Sequence, residues 1–369
     1  MTTTTAAATL STAYGHRRAG EEPFVVLTGA RGLGKSAVLR ELWAAYRGRT
    51  PVALIDGEET QFRRPPRARP AEAWSPTYQA LLAVAEQLAE PVGNVGRIPF
   101  PRLACGLLAV AAGGWGSRDL PGVREETERI LALSDTGSWP TTGRWAGKVA
   151  ARLTASMSGV GPVAEPQVVE PEMVDRVVIE PIIEAALEAF TEGMSSAHRR
   201  LRKGAVWYGR HPRTGGSPKR GLVLLAGHFR ADGGAPRTYA ERQLVRALLA
   251  DLDDAYAGVV RRAHRAGRPV ILVDNVQEDA GRRLMECVLR DRADGIPDRV
   301  SFFAALRGDA HPALRNAERR TLPEVTRDIP WTPGSTPSSR ALLVPLALPL
   351  PRPRTPTVSA PPCPRSPAR

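Results

Sequence analysis

One stretch constrains this chain more than any other. Residues 24–36 read FVVLTGARGLGKS. Phe24–Thr28 is a short continuous apolar run of the kind that forms a strand buried on both faces. Gly29, Ala30, Arg31, Gly32, Leu33, Gly34, Lys35 and Ser36 then satisfy the pattern G-x-x-x-x-G-K-[ST] in full. Ala37–Tyr46 follows with Val38, Leu39, Leu42 and Trp43 on one helical face, and Gly48 suits the helix stop.

The spacing has a physical cause. Gly29, Gly32 and Gly34 permit backbone angles that other residues resist, and they leave no Cβ in the way of a phosphate. The loop N–H groups then converge on a β-phosphate at the positive end of the following helix. Lys35 can reach β- and γ-oxygens, and Ser36 can offer its hydroxyl to Mg²⁺. Residues 29–37, Ala37 included, are therefore the expected nucleotide-binding segment, and the expected ligand is a nucleoside triphosphate.

A second apolar run, Val270–Asp274 (VILVD), ends in an acid followed by Asn275. A carboxylate at the carboxyl end of a buried strand beside a phosphate loop can hold Mg²⁺ through water. Asp274 and Ser36 are the expected metal ligands. The competing reading of Asp274-Asn275, a plain turn after a strand, is weaker given the loop.

The rest of the chain alternates. Pro51–Asp56, Leu222–Ala226 and Val300–Leu306 read as further strands, and Pro76–Leu88, Tyr239–Ala257 and Ala280–Arg290 as helices. Alternation of this kind implies an α/β fold, a three-layer nucleotide-binding core with a mainly parallel sheet. The expected organisation is a flexible leader (1–20), a first part of the core (21–91), a mainly helical insertion (92–220), a second part of the core (221–328) and a Pro/Arg-rich tail without regular structure (329–369). Within the insertion, Leu103–Ala112 reads as a buried helix too short to span a bilayer. Arg124–Leu133 and Ile179–Met194 have helical spacing.

FVVLTGARGLGKS and VILVDN, with AGRRLMECVLRDR and VSFFAALR after them, resemble the signal-transduction ATPases with numerous domains (the STAND class). They are also similar to the origin-recognition-type AAA ATPases. The resemblance covers about residues 24–60 and 222–310. It implies a regulatory switch that binds ATP or ADP with Mg²⁺. Lys35 and Ser36 take the phosphate and metal roles, Asp274 the second metal role, and Arg307 that of the sensor of the γ-phosphate.

Three departures from the family pattern bear on activity. The long gap between Ser36 and Asp274 is accounted for by the helical insertion. Many AAA-like members carry an acid directly after the strand Asp, where this chain has Asn275. Asn cannot act as a base, though it can position water. Glu278, Asp279 and Glu58 are the nearby acids that could substitute, against a bland reading as solvated helix-start residues. Hydrolysis is accordingly expected to be slow. Third, a helical lid is expected after the core, where the Pro/Arg-rich tail stands instead. That suggests a truncation or change of frame near residues 320–330.

The formal net charge of +13 favours anionic partners without choosing among them. The clusters His198–Lys203 and Arg261–Arg268 read first as solvated faces, and nucleic acid is a secondary possibility. Trp207-Tyr208 reads as an aromatic pair closing a core, in preference to a base-stacking platform. The six His show no metal-ligand spacing. Ser/His/Asp combinations lack a nucleophile elbow. Cys105, Cys287 and Cys363 fit neither a disulfide framework nor a metal site, and reduced thiols in a cytoplasmic protein are expected. A slow ATPase switch with a protein partner, a scaffold that holds ATP or ADP as a structural ligand, and a DNA-associated ATPase are the three functions the sequence supports, in that order.

Overall fold

In a computed structural model of the chain, the described residues are 3–14, 23–65, 74–93, 96–113, 120–135, 147, 151, 171–192, 196–231, 234–257, 267–308, 310–326, 331–332 and 334–346. Among them a six-stranded sheet forms the centre, in the order β2-β3-β4-β1-β6-β5. The strands are β1 (Phe24–Thr28), β2 (Val52–Asp56), β3 (Val270–Asp274), β4 (Ser301–Ala305), β5 (Glu318–Arg319) and β6 (Ala341–Pro345). Every ladder between them is parallel. β1, β3 and β4 are buried along their whole length. That is what continuous apolar runs dictate when helices cover both faces of a parallel sheet.

Strand residues alternate between two apolar layers. Val25, Leu27, Leu272, Phe303, Leu342 and Val344 face α1 (Thr3–Tyr14) and α2 (Lys35–Tyr46), sharing a core with Leu10, Leu39 and Leu42. Phe24, Val26, Ile271, Val273, Phe302 and Leu343 face the other way, and Phe24 stacks on Phe302 at 5.0 Å between ring centroids. On that side lie α4 (Pro76–Leu88), α10 (Gly234–Tyr256) and α11 (Asp279–Ala293). The short α3 (Thr60–Arg63) lies between β2 and α4, and α12 (Leu322–Thr326) packs against α1.

The second layer continues without a break into a helical body. It contains α5 (Pro101–Ala112), α6 (Leu120–Ala132), α7 (Pro171–Glu192), α8 (Ser196–Tyr208) and α9 (Pro218–Arg230). Every residue of α5 from Leu103 to Ala112 is buried. Its first turn is pinned by Asp251 of α10. One oxygen of that carboxylate accepts from the backbone N–H groups of Arg102 (2.9 Å) and Leu103 (3.0 Å), and the other from the Arg102 side chain (3.0 Å). Tyr208 is buried and donates to the Arg102 carbonyl, with Trp207 packed edge-on against it.

Three expectations are corrected. Leu222–Ala226 is not a strand but the middle of α9. Ser217 caps that helix and Pro218 opens it, and Leu222, Leu225, Ala226 and Phe229 line its buried face at helical spacing. A window of five residues cannot separate a buried strand from a buried helix; thirteen can. The leader is not uniformly mobile: Thr3–Tyr14 is a helix that buries Ala6, Ala7 and Leu10.

The tail is not uniformly irregular either. Ala341–Pro345 is inserted between β1 and β5, and Phe24 to Thr28 pair residue by residue with Ala341 to Pro345. The core thus continues past residues 320–330 to Pro345. Pro345 is tolerated because it closes the strand, and the next N–H, of Leu346, donates to Thr28 at 2.9 Å. Residues 347–369, and with them any lid, lie outside the described residues, as do residues 258–266 of the second basic cluster.

Candidate functional site

In open parallel sheets, ligands bind beyond the carboxyl ends of the strands. Here four strand ends meet: β1 runs into the glycine loop, β2 ends in Asp56, β3 in Asp274, and β4 is followed by Leu306 and Arg307. Cross-strand bonds fix them together. Gly29 and Gly308 exchange N–H···O bonds at 2.9 and 3.0 Å, Val276 donates to Ala305 at 2.9 Å, and Gly57 donates to Asp274 at 3.0 Å.

The loop has the backbone its glycines require. Gly29, Gly32 and Gly34 have φ of 139°, 85° and 83°. Gly34 is the left-handed cap of α2, so the first free N–H groups of the helix open toward the loop. Ala30, Arg31 and Gly32 are exposed at the loop's crest, and Leu33, Ser36 and Ala37 are half-buried. Lys35 is 9% exposed and folds back across the loop, donating to the carbonyls of Gly29 and Ala30, both at 2.7 Å. Burial holds its ammonium below the ordinary lysine range, while the Asp274 charge raises it and the Arg307 charge lowers it. Lys35 thus sits in the field of both residues.

Asp274 is 7% exposed, and its Oδ1 accepts from the backbone N–H of Asn275 at 3.0 Å. Burial raises this carboxyl above the usual range, Ser36 and the backbone N–H of Asn275 oppose the shift, and the neighbouring Asp56 charge adds to it. A buried carboxylate with a hydroxyl near it and a second acid beside it is the kind of oxygen-donor set a hard divalent cation takes. The residues fit Mg²⁺ on a bound phosphate.

Asn275 has φ of 51°, the one non-glycine positive value among the described residues. Its side chain donates to Asp56 at 2.8 Å and accepts from Gln277 at 3.2 Å. Gln277 in turn accepts from the Arg307 backbone N–H at 3.2 Å. The Arg307 guanidinium pairs with Glu58. Glu278 caps the start of α11 through its backbone position and pairs with Arg63 at 3.6 Å, and Asp279 pairs with Arg282 in the first turn of that helix. The site therefore gathers Lys35, Ser36, Asp274, Asn275 and Arg307, with Glu58 and Glu278 on the rim.

A family model described as an AAA ATPase domain matches residues 5–303. The chain belongs to the AAA ATPase domain family. It is thereby an AAA-type ATPase with a phosphate-loop core, and the match begins inside α1, which lies against the loop: a Cβ placed on Gly34 would stand 3.1 Å from the Thr3 methyl. No curated protein and no solved structure gives a match.

Two residues of this AAA ATPase site escaped the sequence reading. Asp56 was visible only as the last residue of a strand; its significance depends on β2 and β3 being neighbours in register, Asp56 opposite Asp274. Gln277 carries no motif signal at all. Among the described residues no cluster of His, Cys, Asp and Glu could hold a further metal ion, and no helix is long and apolar enough to cross a membrane.

Proposed function

We propose that the chain is a Mg²⁺-dependent ATPase of the STAND type, a regulatory switch set by ATP binding and reset by slow hydrolysis. The observation that carries this reading is that Asp274, buried at the carboxyl end of β3, lies close enough to the phosphate loop to interact with both Lys35 and Ser36. Bound there, Mg²⁺ would draw charge from the β- and γ-phosphate oxygens. Lys35 would exchange its two carbonyl partners for phosphate oxygens, and the loop N–H groups would hold the β-phosphate.

Arg307 supports the sensor role through its influence on Lys35 and its place two residues beyond β4. It is engaged by Glu58, so contact with a γ-phosphate requires that pair to open. Asn275, where a proton acceptor would speed hydrolysis, supports a turnover below about 1 s⁻¹, the low end of ordinary enzymes. A protein partner that rearranges the rim would raise it.

Phosphate release from ATP by the purified full chain, with and without Mg²⁺, tests the proposal. Slow, Mg²⁺-dependent release that Asp274→Asn abolishes is expected. Stoichiometric nucleotide binding with no release at any Mg²⁺ concentration would replace it by the scaffold reading, in which ATP or ADP is a structural ligand.

A further inference from the structure

The residue after Asp274 is an amide, so β3 carries no proton acceptor in the position next to its metal-binding acid. The neighbouring strand carries one. Asp56 ends β2, in register with Asp274, and its charge acts on the Asp274 carboxyl. The two strand ends are pressed together at this level. Gly57 follows Asp56, and a Cβ there would stand 2.8 Å from the Asn275 carbonyl oxygen and 2.9 Å from the Glu278 Cβ.

Asp56 is also oriented. Its Oδ1 accepts from the side-chain amide of Asn275 at 2.8 Å and from the backbone N–H of Glu58 at 3.0 Å. Its Oδ2 has no hydrogen-bond partner among the described residues. One oxygen is thus clamped and the other is available. The clamp has a backbone cost: Asn275 is held in the left-handed region at φ 51°, a conformation that persists at functional sites when the surroundings fix it. Asn275 is fixed in turn by Gln277, which accepts from the Arg307 N–H. A string of hydrogen bonds therefore runs from Asp56 to the residue after β4 that carries the sensor guanidinium. The other acids are committed elsewhere: Glu58 to Arg307 and Arg63, Glu278 to Arg63, and Asp279 to Arg282.

We propose that Asp56 is the catalytic carboxylate of this site, supplied by β2 in place of the acid that β3 lacks, with Asn275 as its positioning residue. The inference rests on the ATPase reading above. In the step it describes, the oxygen of a water molecule bonds to the γ-phosphorus as the bond from that phosphorus to the bridging oxygen breaks. The electron pair of the broken bond leaves on ADP. The proton of the water passes to Asp56 Oδ2, while Asn275 and the Glu58 N–H keep Oδ1 in place.

The test compares the full chain with Asp56→Asn and Asp56→Glu, measuring equilibrium ATP affinity and phosphate release at ordinary and about tenfold higher Mg²⁺. The Asn variant keeps an oxygen that can accept both clamping bonds, and its ATP affinity reports whether the site is folded. Expected are ATP affinity within about threefold of wild type and turnover down about a hundredfold or more, the contribution of a general base. Asp56→Glu recovers part of the turnover. Wild-type turnover that Asp56→Asn leaves within about threefold overturns the inference alone. So does recovery of the Asn variant by excess Mg²⁺, which makes Asp56 a metal support, or a loss of affinity as large as the loss of turnover. A wild type that binds ATP without turning it over defeats the ATPase reading and this inference with it.

Discussion

Arg307 Nη2 lies 2.5 Å from Glu58 Oε1, so the guanidinium beyond β4 is held by an acid from the turn after β2. The two side chains are 44% and 33% exposed. An exposed pair of this kind contributes at most about 1 kcal/mol to stability. Arg307→Ala should therefore leave the melting temperature nearly unchanged and lower turnover by about a hundredfold, the effect of removing one transition-state donor. A melting curve and a phosphate-release assay on the same preparation check both halves. A variant that melts well below wild type while hydrolysing ATP normally would assign Arg307 to the fold and not to the chemistry.

Lys35 is satisfied by two loop carbonyls, so its removal costs the fold two charge-assisted bonds but exposes no buried charge. Its larger loss is in the complex, where an ammonium on a phosphate is worth roughly 2 kcal/mol or more. Lys35→Ala should weaken ATP binding by at least about thirtyfold, measured by equilibrium titration, with a cooperative thermal transition retained.

β6 tests the boundary of the core. Leu343 is 2% exposed and sits in the layer shared with Phe24 and Phe302. Leu343→Ala should cost about 2–5 kcal/mol in a denaturant titration. If residues 341–345 were outside the sheet, the same substitution would fall within about 0.5 kcal/mol of wild type.

Glu241 gives a pH signature where α10 packs against α4 and α11. It is 5% exposed, and burial pushes its carboxyl above the usual range; Ser75 and Thr77 from α4, Arg283 from α11, and Arg237 oppose the shift. The Cys287 thiol on α11, itself pushed up to about 12 mainly by burial, also feels the Glu241 charge. Because the folded value is raised, the fold favours the neutral acid. The stability this brings is complete below the unfolded value of about 4.3. It is lost as pH rises through the folded value. Wild type should lose stability relative to Glu241→Gln as pH increases across that window. Melting temperatures of the two proteins at a series of pH values check it, and a gap that stays constant would contradict it.

The phosphate loop and β3 were legible because each packs its signal into consecutive residues. Gly29 to Ser36 spell out a backbone shape, and Val270 to Asp274 end a buried run in a charge. Asp56 was not legible as a site residue, because its role depends on which strand lies beside β3, and order in a sheet is a long-range property. Leu222–Ala226 misled because five apolar residues in a row suit both a buried strand and a buried helix; the deciding signals, Ser217, Pro218 and Phe229, lie outside the run. Ala341–Pro345 was hidden by prolines on either side, which argue against regular structure locally but cannot outweigh a free edge on β1. Among the described side chains of the helix Thr3–Tyr14, those buried are Ala6, Ala7 and Leu10, too faint a stripe to read without α2 opposite it.

The central claim is that the glycine loop and Asp274 form a single Mg²⁺–ATP site, across a gap of more than two hundred residues. Calorimetric titration of ATP into wild type and Asp274→Asn, with Mg²⁺ and with chelator, addresses it directly. The account predicts one nucleotide per wild-type chain and an affinity at least about tenfold tighter with Mg²⁺, roughly 1.4 kcal/mol. That Mg²⁺ effect should be absent in Asp274→Asn. Equal ATP affinity in both proteins, with and without Mg²⁺, would contradict it.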